Sequence, residues 1–199
     1  NRLSSGSYFP KPVKRVMIPK PGGGERPLGI PVVSDRIAQE VLRRIREPYL
    51  EKHFHADSYA YRKGKNAHQA LDECRHRTDY YSWAVDVDIK GYFDSIPHDL
   101  LTARIEEHIS DGRLLQLLAS WLQQDIVRDL ERWTPTAGTP QGAVISPLLA
   151  NLYLHPLDVK MSELGYRMVR YADDFVILCQ TASQAQAALE EVRAWVEAN

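Results

Sequence analysis

The apolar and polar positions divide the chain into short extended runs and longer helical ones. Val13-Lys14-Arg15-Val16-Met17-Ile18 alternates in part and predicts a strand. Pro19-Lys20-Pro21-Gly22-Gly23-Gly24 predicts a turn, and Arg26-Pro27-Leu28-Gly29-Ile30 a returning strand. Residues 1–10 are polar and aperiodic, a predicted lead-in loop. Ser34-Asp35 then caps a predicted helix over roughly residues 36–52. Its Ile37, Val41, Leu42 and Ile45 fall at helical spacing, so that stripe is expected in the core, with Arg43, Arg44 and Arg46 facing outward. A second helix follows over roughly residues 67–77.

Trp83-Ala84-Val85-Asp86-Val87-Asp88-Ile89 alternates as a buried strand would. Ser95 and Pro97 open a helix to about residue 109, and residues 113–124 continue as another. Residues 126–136 read as a strand or hairpin, and Gly138-Thr139-Pro140-Gln141-Gly142 as a turn feeding a helix over roughly 146–164. Two short strands, 166–171 and 175–179, are joined by Ala172-Asp173-Asp174, and an alanine-rich helix starts at Ala182. The strand pair is a hairpin with adjacent carboxylates at its tip. Like charges there repel, an unusual choice unless a cation neutralises them, although Asp alone is a common turn residue. Asp86 and Asp88 strengthen the first reading, because strand side chains repeat every second residue and both point to one face.

Composition adds an asymmetry. Of the 199 residues, the first 65 hold 14 Lys and Arg against 6 Asp and Glu, and the rest hold 11 against 20. A basic front suits a polyanionic partner and an acidic back suits divalent cations. Cys74 and Cys179 form neither a metal pair nor a disulfide framework; two buried thiols in a reducing bacterial cytoplasm are expected. There is no membrane-length apolar run, so no membrane partner is expected. The chain begins without Met and stops inside a predicted helix, which reads as a fragment. The glycines of the first turn are not a P-loop, since no Gly-Lys-Ser/Thr follows; the turn carries Lys20 and Arg26 instead, either solvated charge or a clamp on a triphosphate.

Four blocks now stand in order: KPGGGERPLGIP, VDVDIKGYFDSI, TPQGAVISPLLANLYL and RYADD. Together they resemble the reverse transcriptases, and the group II intron maturase type in particular. The run YFPKPVKRVMIPKPGGGERPLGIPVVSDRIAQEVL is similar to the finger region of that type, and SYAYRKGKNAHQAL to its following block, although Ala60-Tyr61-Arg62-Lys63-Gly64-Lys65 departs from the usual Gly-Phe-Arg-Pro-Gly-Arg. Pro140-Gln141-Gly142 argues against the diversity-generating class.

The resemblance implies an α+β right hand: fingers over residues 1–82 and palm over 83–199, with part of 99–124 packing on the fingers. The palm should be a small antiparallel sheet around the acidic hairpin, with helices behind it and the thumb absent. It implies an RNA-directed DNA polymerase that adds deoxynucleotides to a primer 3′-hydroxyl by two-metal phosphoryl transfer. Two Mg²⁺ ions are the implied cofactors, with Mn²⁺ as a substitute. Asp88 and Asp173 would be the bridging ligands, Asp174 a third acid, and the Ile89 carbonyl a further ligand. Asp86 competes with Asp88, but the aromatic gate of the family lies five residues after the catalytic acid, which favours Asp88. Phe93 would exclude a 2′-hydroxyl, Lys20 and Arg26 would neutralise the triphosphate, and Gln141 and Gly142 would line the base-pair pocket. Arg62 and Lys63 would meet template phosphates. Implied partners are an RNA template, a DNA primer, deoxynucleoside triphosphates and the parent intron RNA, in retrohoming with splicing assistance. A homodimer stays open with no residue-level case. The 199-residue piece alone is expected to be weak or inactive. Two alternatives share every block: an RNA-binding maturase scaffold without polymerase activity, and a reverse transcriptase recruited to CRISPR adaptation or phage defence.

Overall fold

The structure, a computed structural model, describes residue 3, residues 7–20 and residues 22–199. Parts of the expected lead-in loop, and Pro21 of the first turn, lie outside the described residues. The elements in chain order are β1 (Val13–Pro19), β2 (Glu25–Ile30), α1 (Val33–Leu50), α2 (Ala67–Thr78), β3 (Trp83–Asp88), the single turn α3 (Tyr92–Ser95), α4 (His98–Glu106), α5 (Gly112–Leu122), β4 (Ile126–Arg128), β5 (Glu131–Trp133), α6 (Ser146–Glu163), β6 (Arg167–Tyr171), β7 (Asp174–Cys179) and α7 (Ala182–Ala198). They form two compact units that alternate along the sequence: residues 1–50 with 91–150, and residues 51–90 with 151–199.

The first unit holds a four-stranded sheet in the order β2-β1-β4-β5. β1 and β2 are the expected antiparallel hairpin, with Ile18 opposite Arg26. β1 also takes β4 in parallel, Val13 against Ile126, and β4 turns back into β5. Val13, Ile96, Leu101, Ile105, Leu118, Trp121 and Leu122 are buried here. Each such side chain contributes about 1.5–3 kcal/mol on burial.

α1 departs from expectation at both its start and its face. It begins at Val33, so Asp35 is in the first turn and is no cap. Asp35 is fully buried and accepts hydrogen bonds from the Tyr8 hydroxyl (2.8 Å), the Lys11 backbone N–H (2.9 Å) and the Gln124 side-chain amide (2.8 Å). Beside it Gln39 accepts from the Val144 backbone N–H at 2.9 Å. Ile37, Val41 and Ile45 are exposed, at 60%, 47% and 55%, and the buried side is Asp35, Ala38, Gln39 and Leu42. Two stripes satisfy helical spacing in this segment. The polar one wins because buried Asp35 and Gln39 satisfy backbone donors that would otherwise be orphaned. Arg43 is half-buried between Glu40 and Glu47, at 2.8 and 2.6 Å, rather than wholly outward.

The second unit is built on a three-stranded antiparallel sheet in the order β3-β7-β6. β7 is central and carries buried Phe175, Ile177, Leu178 and Cys179. β3 is an edge strand whose Trp83, Ala84, Asp86 and Asp88 are exposed, so it is not the buried strand its alternation implied. α2 starts with a capping box, Asn66 and Gln69 exchanging side-chain-to-backbone bonds, and its Ala70 packs with Tyr59, Val169 and Cys74. α6 brings buried Leu154, Leu157 and Met161, and α7, capped by Thr181, brings Ala185, Ala188 and Val192. Both cysteines are free, and burial pushes both thiols up.

Candidate active site

Strand register assembles the acids of the second unit. Asp88 is the direct cross-strand partner of Asp174, and Asp86 that of Val176, so Asp86, Asp88 and Asp174 share one face. Tyr171 pairs with Asp174, which leaves Ala172 and Asp173 as a two-residue turn; Asp174 itself opens β7. Ala172 has φ 61, the left-handed region that a side chain normally avoids. The backbone N–H of Ile89 donates to the Asp173 carbonyl at 3.4 Å, tying the end of β3 to the turn. Ile89 therefore sits beside the acidic turn.

The electrostatics are those of crowded carboxylates. Burial raises the Asp173 carboxyl above its ordinary range, and the charge of Asp88 adds to this, against the lowering pull of Arg170. Asp174 is raised by burial first, then by the charges of Asp173, Asp88 and Asp86, and by a side-chain hydrogen bond with Asp88. Among the described residues no three His, Cys, Asp or Glu side chains converge into a ready metal cage. The donor set is nevertheless oxygen only, and its mutual repulsion is what a hard divalent cation relieves, so the residues fit such an ion. A testable consequence follows from the sign of the shift. The folded chain binds the Asp174 proton more tightly than the unfolded chain, so this group favours the fold at low pH and loses that contribution as pH rises through the raised value. In chelator, Asp174→Asn should therefore melt higher than wild type by a margin that widens from about pH 4 upward. Mg²⁺ should close the gap, since only wild type gains the ion fully. Melting curves across pH check this, and a gap that ignores both pH and Mg²⁺ refutes it.

The first unit holds the residues expected around the nucleotide, while Arg62 and Lys63 belong to the second. Lys20 ends the β1 side of the hairpin turn and Arg26 lies on β2; both are exposed. Phe93 is in α3, half-buried, with its ring edge-on to Tyr92 at 5.5 Å, and its carbonyl accepts the Thr139 N–H at 2.7 Å. Gln141 donates to the Asp94 carboxylate at 3.1 Å, so Asp94 orients its amide. Gly142 has φ 101, and a Cβ there would meet the Gly29 carbonyl at 2.7 Å and Leu28 at 2.9 Å. The crowding of β2 is thus a sufficient reason for glycine at this position. A cleft of about 730 Å³ in this unit, lined among others by His98, Asp99 and Thr134, contains none of the expected residues.

Arg62 is not where the resemblance placed it. It is buried; Nε and Nη2 bind the Glu51 carboxylate at 2.9 and 2.7 Å, and Nη1 binds the His55 and Ser58 carbonyls at 2.6 Å each. A guanidinium so occupied braces the 51–62 segment and has little left for phosphate. Lys63 beside it is exposed. Two groups the motifs did not flag matter here: Asp94, and a buried trio of Arg170, Asp158 and Asn151. The trio had a partial signal, since Asn151 and Asp158 are polar positions seven residues apart in a largely apolar stretch of the helix.

Sequence comparison agrees with this geometry. The family model described as "Reverse transcriptase (RNA-dependent DNA polymerase)" matches residues 18–199. The chain belongs to the reverse transcriptase family. Within it the relatives include group II intron-encoded proteins. The group II intron-encoded protein LtrA of Lactococcus lactis subsp. cremoris is 37% identical over 84% of this chain and 28% of its own length. An uncharacterized 91 kDa protein in the cob intron of Schizosaccharomyces pombe is 38% identical over 78% of this chain and 19% of its own. The chain thus spans under a third of either relative. Among solved structures, a partial Cas6-RT-Cas1–Cas2 complex matches 98% of this chain and 35% of its own at 27% identity, TM-score 0.56. Apo telomerase from Candida tropicalis matches 92% and 41% at 12% identity, TM-score 0.67, a likeness of fold. Among the described residues no helix is long and apolar enough to cross a membrane.

Proposed function

We propose that this chain is the fingers (residues 1–82) and palm (83–199) of an RNA-directed DNA polymerase of group II intron origin, with part of 99–124 packing on the fingers. The register that puts Asp88 opposite Asp174, beside the Asp173 turn, carries the reading. Asp88 and Asp173 hold two Mg²⁺ ions, with Asp174 as a nearby acid and the Ile89 carbonyl as a further ligand; Mn²⁺ substitutes. Bound there, the ions supply charge stabilisation for the attacking and leaving oxygens of an in-line displacement at the nucleotide α-phosphorus. Lys20 and Arg26 neutralise the triphosphate. Phe93 meets the incoming sugar and selects deoxynucleotides. Gln141, held by Asp94, and Gly142 line the base-pair pocket. Lys63 meets template phosphate and positions the strand without reading sequence; Arg62 braces the segment that precedes it. RNA template, DNA primer and deoxynucleoside triphosphates are the substrates, and intron RNA is the partner.

The likeness to the Cas6-RT-Cas1–Cas2 structure favours a second biological setting, CRISPR adaptation, for the same chemistry. Template-primed synthesis by the full-length protein, on RNA and on DNA, with Mg²⁺ titrated against chelator, tests the polymerase. Metal-dependent extension on RNA supports it. Tight, salt-sensitive RNA binding with no extension would leave an RNA-binding scaffold.

A further inference from the structure

Two backbone carbonyls flank the Asp173 side chain, and both are held. The Asp173 carbonyl is held by the Ile89 N–H, and that of Ala172 by Arg170 Nη1, which donates to it at 2.9 Å. The Ala172 contact comes from the opposite side of the sheet. Arg170 pairs with Phe175, one residue from Asp174, so its side chain leaves the face that carries the acids. It is 1% exposed. There Nε and Nη2 grip the Asp158 carboxylate as a fork, at 2.7 and 2.5 Å, and Nη1 also reaches Asn151 Oδ1 at 3.1 Å. Asn151 spends its own amide on the Ala60 carbonyl at 2.8 Å, which fixes its orientation. The main chain of Arg170 is pinned too: its N–H donates to the Asp57 carbonyl at 2.8 Å and its carbonyl accepts from Tyr59 at 2.9 Å.

The target of this apparatus is the peptide plane between Ala172 and Asp173. A two-residue turn with a non-glycine residue at φ 61 is strained and depends on its surroundings to hold it. Rotation of the Ala172–Asp173 plane would change φ of Asp173 and swing its carboxylate. We propose that Arg170 is a positioning residue for the metal-binding acids: from the buried side of the sheet it clamps the Ala172 carbonyl, with Asp158 and Asn151 aiming it, and so holds Asp173 in place. The requirement is for arginine, because one planar group must grip a carboxylate through two nitrogens and keep a third donor for the turn. Lysine has the charge without the fork.

The proposal rests on the polymerase reading, and the test keeps the two apart. In the full-length protein, wild type is compared with Arg170→Lys and with the double variant Asp158→Leu/Arg170→Met. An apolar replacement of a buried ion pair commonly preserves the fold while removing the clamp. Thermal unfolding reports folding, Mn²⁺ titration followed by electron paramagnetic resonance reports the acids without catalysis, and single-turnover extension reports chemistry. Folded variants should bind Mn²⁺ about 10–100-fold more weakly and extend slower by a similar factor, as loss of an outer support of a metal site does. Their KM for primer–template should be unchanged. Folded variants with wild-type Mn²⁺ affinity and rate overturn the proposal. If the double variant does not fold, Arg170→Lys decides by the same readouts. A wild type that neither binds Mn²⁺ nor extends a primer overturns the polymerase reading, and the positioning role falls with it.

Discussion

Asp173→Asn in the full-length protein should cut single-turnover primer extension by about 10³-fold or more while leaving primer–template affinity unchanged. The carboxamide keeps the shape of the turn and removes the charge. Metal-borne stabilisation of a phosphoryl transition state is worth several kcal/mol, and each 1.36 kcal/mol is tenfold in rate. The substitution should not harm the fold, because Asp173 is ionised there at a cost: burial and Asp88 both oppose its charge. Loss of rate with an intact melting curve would separate a metal acid from a turn residue. A rate within tenfold of wild type would mean that Asp173 is not a ligand.

The largest expected effect on stability lies one layer behind. Asp158→Ala should lower unfolding free energy by about 3–5 kcal/mol, measured from urea titrations, because it strands the Arg170 guanidinium without its carboxylate. The pair is 1% and 2% exposed, so water cannot replace the lost partner. Asn151 and the Ala172 carbonyl remain, but neither carries charge. Domains are typically stable by only about 5–15 kcal/mol, so this single change threatens the fold. Arg44→Ala at the exposed Arg44–Glu40 pair is the control, and its effect should be far smaller. A shift at Asp158 no larger than that control would show that the guanidinium finds other relief.

Much of the acidic site was legible because strand geometry is local. Period two put Asp86 and Asp88 on one face, and the Asp-Asp step between two apolar runs marked the hairpin, whose turn proved to be Ala172-Asp173. The hairpin of β1 and β2, α2, α6 and α7 were legible for similar reasons: alternation, caps and long apolar helices. What failed depended on partners distant in sequence. Ile37, Val41 and Ile45 formed an acceptable stripe, but α1 buries Asp35 and Gln39 because Tyr8, Gln124 and Val144 supply their hydrogen bonds. Asp35 looked like a cap for want of that information. Arg62 falls in a block whose resemblance implies a phosphate contact, whereas Glu51 and two carbonyls occupy it. Pairing of β4 with β1 had no local mark at all.

The alternation of the two units along the sequence bears on synthesis of the chain. As the polypeptide leaves the ribosome, residues 1–50 emerge well before residues 91–150, which complete their unit. β1 must wait for β4, more than a hundred residues later, and β3 must wait for β7. Closing loops of that length carries an entropic penalty that grows with their span, and folding dominated by such distant pairings is slow. Until then β1 presents an open edge and β3 lacks its neighbour. A nascent chain in that condition is exposed to mispairing and aggregation, so its yield should depend on translation speed and chaperone supply more than its finished stability suggests.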